Sequence, residues 1–367
     1  MSNGPIDHCG PIRKPTPPRE PPADDLSSYT TTAYSPATLK RQPSGKPRSG
    51  LKRLTGQRLP WGNTQEVVPD VFMTPTPESL RFWEKAAKEK VEQQAKGTYK
   101  PAPMEHIDFH DRCDHEHYRH APWAARAQFW IYVASLGKGG FFILSVIGVL
   151  DALWVALGTS GHFLASFWEV FQIVVFYALI PCASVWAVAS LVLHKFPRLW
   201  VKPGQGPKWE LNRRTGMVTV FKYRRSEVTE HRFPFHEFDA YINTAPDRQG
   251  LPMNILSLEH RYSDTSIRFG DLQPPGPTVS QPFALWDFIQ NYMDISLPLP
   301  DAPLFEEHRH KDPTTVEHDK ATGRNPRYWI DMNDETFKQV KHQMLGQVDR
   351  INTQTRPNLM ARFVEYY

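Results

Sequence analysis

The chain has 367 residues, and 43 Lys and Arg against 39 Asp and Glu leave a net charge of only +4. That balance offers nucleic acid no broad basic face. Three cysteines at unrelated spacings, Cys9, Cys113 and Cys182, exclude a disulfide framework and fit a reducing compartment.

Residues 1–60 hold 11 prolines and 10 Lys and Arg against 4 Asp and Glu, with no apolar run that would serve as a signal peptide. Such a segment buries too little apolar surface to offset its chain entropy, so residues 1–76 are expected to form a disordered, Pro-rich basic arm. Pro15 to Pro18 and Pro18 to Pro21 match PxxP, a pattern common to any proline-rich linker. Lys40 to Arg58 is basic enough to touch anionic headgroups. Residues 77–138 are expected to hold a cytoplasmic helix over Pro77–Ala95, with Leu80, Trp83 and Ala87 on one side, and a His-rich juxtamembrane segment.

That segment, His106 to His120, carries the metal-like signal. His106, His110, Cys113, His115, His117 and His120 are nitrogen and sulfur donors, and spacings such as His106-x3-His110 suit a tetrahedral zinc site. No CxxC or HExxH fixes the geometry, and a solvated or pH-sensitive surface is the plainer reading. No cofactor is expected.

Gly139 to Gly158 and Val170 to Leu193 are each long enough to cross a bilayer, which takes about 20 mainly apolar residues. The second has no charged residue and the first only Asp151. A transmembrane hairpin over 139–193 follows, with spans 139–158 and 170–193. Lys and Arg flank it on one side only (Arg112, Arg119, Arg126 and Lys138 before; Lys195, Arg198, Lys202, Lys208, Arg213 and Arg214 after), and the connection Thr159 to Glu169 has none. By the positive-inside rule a multi-pass membrane protein is expected, with both long arms and both termini cytoplasmic and the short connection facing outward. Trp168 and Trp200 lie where aromatics favour headgroups.

Asp151 is the most informative polar residue, since an intramembrane carboxylate costs about 2.5–3.5 kcal/mol on insertion scales and seeks protein or water. Gly148, Ala152 and Ala156 form a small-residue stripe beside it, and Ala183 and Ala187 offer a facing surface for close packing. Pro181 frees the carbonyl of Tyr177. The expected contact is a protonated Asp151 donating to that carbonyl or to the Tyr177 hydroxyl; ion conduction and recognition of a membrane-embedded partner are the sharper alternatives.

Residues 204–296 change to strand signals. Lys208 to Leu211 and Met217 to Tyr223 flank a turn with Gly216 at a left-handed position. His231 to Asn243 follows, with a register change after Phe235, then a hairpin around Ser263 and Asp264 and a helix over Pro282 to Asp294 striped by Leu285, Phe288, Ile289 and Tyr292. Residues 297–367 are expected to be a linker and a C-terminal amphipathic helix over Asn333 to Asn352. Its face of Phe337, Val340, Met344, Val348 and Ile351 either packs on the strand domain or meets a partner. Glu306, Glu307, His308 and His310 form a charged loop, most simply solvated. There is no GxSxG, phosphate-cradling glycine loop or dinucleotide fingerprint.

The segments Trp209 to Val220, Phe233 to Ile242, and Leu285 to Asp301 follow the order of a first hairpin, an aromatic-acidic corner and a closing helix. Over residues 125–300 the chain resembles bacterial two-span inner-membrane proteins of unknown function that carry a cytoplasmic pleckstrin-homology-like domain. Some members are encoded near contractile secretion systems. The resemblance implies a membrane α+β protein, with a transmembrane helical hairpin followed by a small antiparallel β domain, and no activity. The expected function is non-enzymatic interaction with an unidentified protein partner at the bilayer, without nucleic acid and with self-association open. The alternative is an immunity protein that neutralises a membrane-active secretion-system toxin.

Overall fold

A computed structural model describes residues 28–45, 56–101, 105, 110–122, 124–159, 162–196, 205–224 and 227–366. The chain divides into two units, one built from 1–99, 111–120 and 207–367, the other from 100–110 and 121–206. The elements in chain order are β1 (Gly56–Arg58), α1 (Pro77–Ala95), β2 (Arg112–Cys113), β3 (His117–His120), α2 (Ala125–Gly158), α3 (Phe163–Lys195), β4 (Trp209–Asn212), β5 (Met217–Arg224), β6 (Glu227–Pro234), β7 (Phe238–Pro246), β8 (Pro252–His260), β9 (Ser266–Arg268), α4 (Ser280–Met293), α5 (Pro313–Thr322), α6 (Tyr328–Asp331) and α7 (Asp334–Asp349).

The first unit is α+β. Its two antiparallel sheets run β2-β3-β4-β5-β6 and β1-β7-β8-β9. The β4–β5 turn forms as its sequence requires. Asn212 Oδ1 accepts the Thr215 N–H at 2.9 Å. Gly216 sits at φ +66° with Thr32 and Tyr34 backbone where a Cβ would go. The expected register change falls at a 3-10 turn, Phe235–Glu237, where the chain passes from one sheet to the other.

α4 departs from its expected one-sided stripe, because every residue from Pro282 to Met293 is buried. Its apolar side packs on the sheets. Its polar side (Asp287, Gln290, Asn291) lies under a second layer made by the segment before α1 and by the chain's last turns. Gly62 N–H donates to Gln290 Oε1 at 2.8 Å, Gln65 N–H to Asp287 Oδ2 at 2.9 Å, and Arg356 Nη1 to the same oxygen at 2.6 Å.

The disordered arm expected over 1–76 is therefore wrong for the described part of it. Residues 1–27 and 46–55, with the PxxP matches and part of the basic stretch, lie outside the described residues. In what is described, β1 pairs with β7, and Tyr34, Leu59, Trp61, Val67, Val68, Phe72 and Met73 are buried. Trp61 packs edge-on against Trp286 and Phe235, each at 4.9 Å between ring centroids. Enough apolar area comes from scattered aromatics to order an otherwise irregular segment. Likewise, 204–296 is not a self-contained domain: strands β1 to β3 come from before α2, and residues after 296 complete the core.

α1 has the expected bounds and is capped by Thr76, whose side chain accepts from Ser79 N–H. α7 is capped by Asn333 in the same way, and it buries Phe337 and Val348, with Ile351 just beyond. Its apolar face is thus occupied by its own unit, which removes it as a free partner-binding helix.

The second unit is a pair of long antiparallel helices. α2 has 34 residues and α3 has 33, and only 17% and 11% of their most apolar windows is buried inside the protein. The core helix of a soluble protein would be mostly covered. Both are long and apolar enough to cross a membrane, each running to about 50 Å at 1.5 Å per residue. The connection between them is shorter than the expected 159–169, since α3 starts at Phe163. Within α3, Val175–Leu179 widens to a π-turn, with Ile180 N–H donating to Val175 O. It ends two residues before Pro181, whose ring would otherwise press on the Tyr177 carbonyl.

Candidate functional site

Contacts along the hairpin fix its register. A Cβ added at Gly137 would meet the Trp186 backbone, one at Gly140 the Cys182 Sγ at 3.1 Å, and one at Gly148 the Val174 side chain. Continued, this antiparallel register sets Asp151 level with Phe171 and Gln172, and Tyr177 level with Ser145. Asp151 and Tyr177 are thus separated by about 9 Å in depth. Both are exposed, Tyr177 at 83%, and the expected bond between them is not formed.

Gly148, Ala152 and Ala156 do line the seam and are buried, but their counterpart is Val174 and its neighbours. Ala183 is level with Gly139, and Ala187 is exposed. The spans 139–158 and 170–193 are consequently out of step, and Lys138, expected to flank the membrane, stands inside α2 level with Ser184. Small residues mark a close approach without saying which part of the other helix supplies the bulk.

The described residues of the histidine segment are not gathered into a metal centre. Among the described residues no three of His, Cys, Asp and Glu are placed to hold one ion. His106 lies outside the described residues. The reason is strand geometry: successive side chains along β3 leave opposite faces of the sheet. Tyr118 goes to the core against Phe72 and Trp209. His117 stands near Glu210, and His120 tilts over Trp209 at 5.6 Å between centroids. Cys113 is in the neighbouring strand, its thiol pushed up by burial.

His115 instead stacks on His308 at 6.2 Å between centroids, and the Nδ1 of each is buried with no partner among the described residues. Burial lowers the pKa of both, that of His308 to about 4, against the opposing pull of Asp114. The unfolded chain binds these protons near 6.5, so their contribution is full above that pH and is lost as pH falls towards 4. Asp287, Asp294 and Glu306, raised by burial, act in the opposite sense. Comparing wild type with His308→Gln isolates the imidazole: melting curves from pH 7 to 4.5 should show the wild type losing more stability than the variant.

Charged groups that looked solvated or topological are structural. Arg213 is fully buried. Its guanidinium donates to the carbonyls of Tyr292, Asp294 and Leu297 at 2.5, 2.9 and 2.6 Å, closing the C-terminal end of α4, and its Nε donates to Asp312 Oδ1 at 2.9 Å. Burial opposes the charge on Arg213, but Asp312 and Tyr29 outweigh it and raise its pKa. Asp312 also caps α5 through Thr315. Arg119 pairs with Glu210, Arg214 with Glu116 and Lys208 with Asp271, so these cations too are committed within the strand unit. Glu306 is buried, accepting from Arg324 and from Trp329 N–H. Arg261 is locked on Asp239 and reaches the Tyr366 hydroxyl.

Sequence reasoning missed this framework because each pair joins distant segments, Arg213 to Asp312 and Asp287 to Arg356. The one local hint was Asp312 just before Pro313 and a helical run, an N-cap arrangement.

The chain matches no family model, no curated protein and no solved structure. Two apolar helices and antiparallel sheets fit the outline of the two-span family, and no match names that family.

Proposed function

We propose that this is an integral membrane protein that uses α2 and α3 as a hairpin anchor and works through protein interaction rather than catalysis. The observation that carries the reading is how the hairpin is built in. It is inserted between β3 and β4, which pair directly, His120 opposite Trp209. A long apolar excursion between two neighbouring strands ties a folded unit to a bilayer by both of its ends. Aromatics support a membrane position: Trp154 and Trp168 are level with each other near the connection, and Trp130 and Tyr132 stand about 36 Å away along α2.

The finer reading places this anchor in a bacterial inner membrane with both termini cytoplasmic. Arg126 and Lys195 lie at the open ends of the helices, and the described residues of the connection include no Lys or Arg. The unit it holds follows a pleckstrin-homology-like order, with β3 to β6, then β7 to β9, then the closing α4, and the hairpin sits between its first two strands. A non-catalytic role is supported by the fate of the buried charges, since Arg213, Arg261, Glu306 and Asp312 are consumed by structural partners.

Cross-linking in native membranes, followed by purification and mass spectrometry, tests this. One stoichiometric protein partner is expected; recovery of the chain with no other protein would count against an interaction role.

A further inference from the structure

Three polar side chains stand on the outer surface of the hairpin near its connection: Asp151, Glu169 and Gln172. All are exposed, and none has a hydrogen-bond or ion-pair partner among the described residues. Asp151 and Gln172 are level with each other but do not meet, because the seam between the helices is filled by Gly148, Ala152 and Val174. Glu169, Gln172, Ile173, Phe176 and Tyr177 line a shallow groove along α3, part of it over the π-turn that begins at Val175.

We propose that this groove receives a second copy of the same hairpin, with Asp151 of one copy accepting a hydrogen bond from the Gln172 carboxamide of the other. The inference rests on the membrane reading given above. Copies inserted in one orientation carry every residue at the same depth, so the level match of Asp151 and Gln172 within one chain becomes a match between chains. A carboxyl oxygen accepts and a carboxamide N–H donates, which makes the two surfaces complementary. Both groups lie about one helical turn inside the level of Trp154 and Trp168, where the helices enter hydrocarbon that supplies no partner of its own, so association satisfies both. Apolar contact in the groove through Ile173 and Phe176 surrounds that bond.

The test uses full-length protein, labelled with donor or acceptor dyes and reconstituted in phospholipid vesicles over a range of protein-to-lipid ratios. Energy transfer should report self-association. Asp151→Leu and Gln172→Leu should each weaken it about threefold or more, in line with what hydrogen bonds between membrane helices contribute. Asp151→Asn keeps an acceptor oxygen and should associate as wild type. Leucine variants that associate like wild type, or a wild type that stays monomeric at every ratio, would overturn the proposal. Carbonate washing of the same vesicles separates the two readings: a monomer that resists extraction defeats self-association alone, whereas a protein that washes off defeats the membrane anchor as well.

Discussion

Arg213→Ala lowers the melting temperature of the full-length protein by about 6–20 °C. The guanidinium is fully buried and serves the carbonyls of Asn291, Tyr292, Asp294 and Leu297 and the carboxylate of Asp312 at once. Truncation strands Asp312 as a buried charge and unpairs the end of α4. Breaking a buried pair in this way costs about 3–5 kcal/mol, and for a unit of this size each kcal/mol is worth about 2–4 °C. Arg213→Lys should recover little, since an ammonium group cannot reproduce the planar fork that spans these acceptors. Asp312→Asn should cost less than Arg213→Ala, because a neutral amide still accepts from Thr315. Tryptophan fluorescence melting in detergent reads all three; a melting point within 2 °C of wild type for Arg213→Ala would show that the guanidinium does not hold the end of α4.

Trp61→Ala is the second large effect, at about 3–5 kcal/mol, the range for removing a fully buried large aromatic. Trp61 touches Tyr34, Phe235 and Trp286, and its neighbours Gly62 and Gln65 donate to the polar side of α4. Losing the ring should loosen the whole layer that covers α4, exposing Asp287 and Gln290. Limited proteolysis distinguishes this from a local cavity. The wild type should resist cleavage between residues 56 and 76, and Trp61→Ala should be cut there rapidly. Equal resistance of the two proteins would mean that the segment is held by something other than the indole.

The difference between what was legible in the sequence and what was not follows the range of each interaction. α1, α7, the β4–β5 turn and the β8–β9 hairpin announce themselves through caps, periodicity and Gly216, all decided within a few residues. The existence of the apolar helices is equally local, but composition marked only their apolar cores, 139–158 and 170–193, and the helices run on to Ala125–Gly158 and Phe163–Lys195. The layer over α4 has no period to detect, because Leu59, Trp61, Val67, Val68, Phe72 and Met73 are irregularly spaced along a stretch that is mostly without regular structure and ends in a 3-10 turn at Asp70–Met73. Their burial is decided by α4, more than two hundred residues away in sequence. The same holds for Arg213, whose position beside Arg214 in a basic turn looked like a topological signal until its partner Asp312 came into view.

In the hairpin, sequence identified the polar residues but not their levels. Pairing Asp151 with Tyr177 assumed that the two apolar runs start and stop together. The contacts of Gly137, Gly140 and Gly148 show that they do not. An antiparallel pair of featureless apolar helices has no strong register signal, so the offset is set by where bulk meets a gap: Trp186 at Gly137, and Val174 at Gly148. The histidine segment failed for a related reason. Six candidate donors within fifteen residues look convergent on paper, but a strand sends alternate side chains to opposite faces.

Everything proposed for this protein depends on α2 and α3 lying in a bilayer, and alkaline carbonate extraction of membranes from cells producing the full-length chain tests that most directly. The protein should stay in the membrane pellet and be released only by detergent. Complete release into the carbonate supernatant, as a folded and soluble species, would contradict the account.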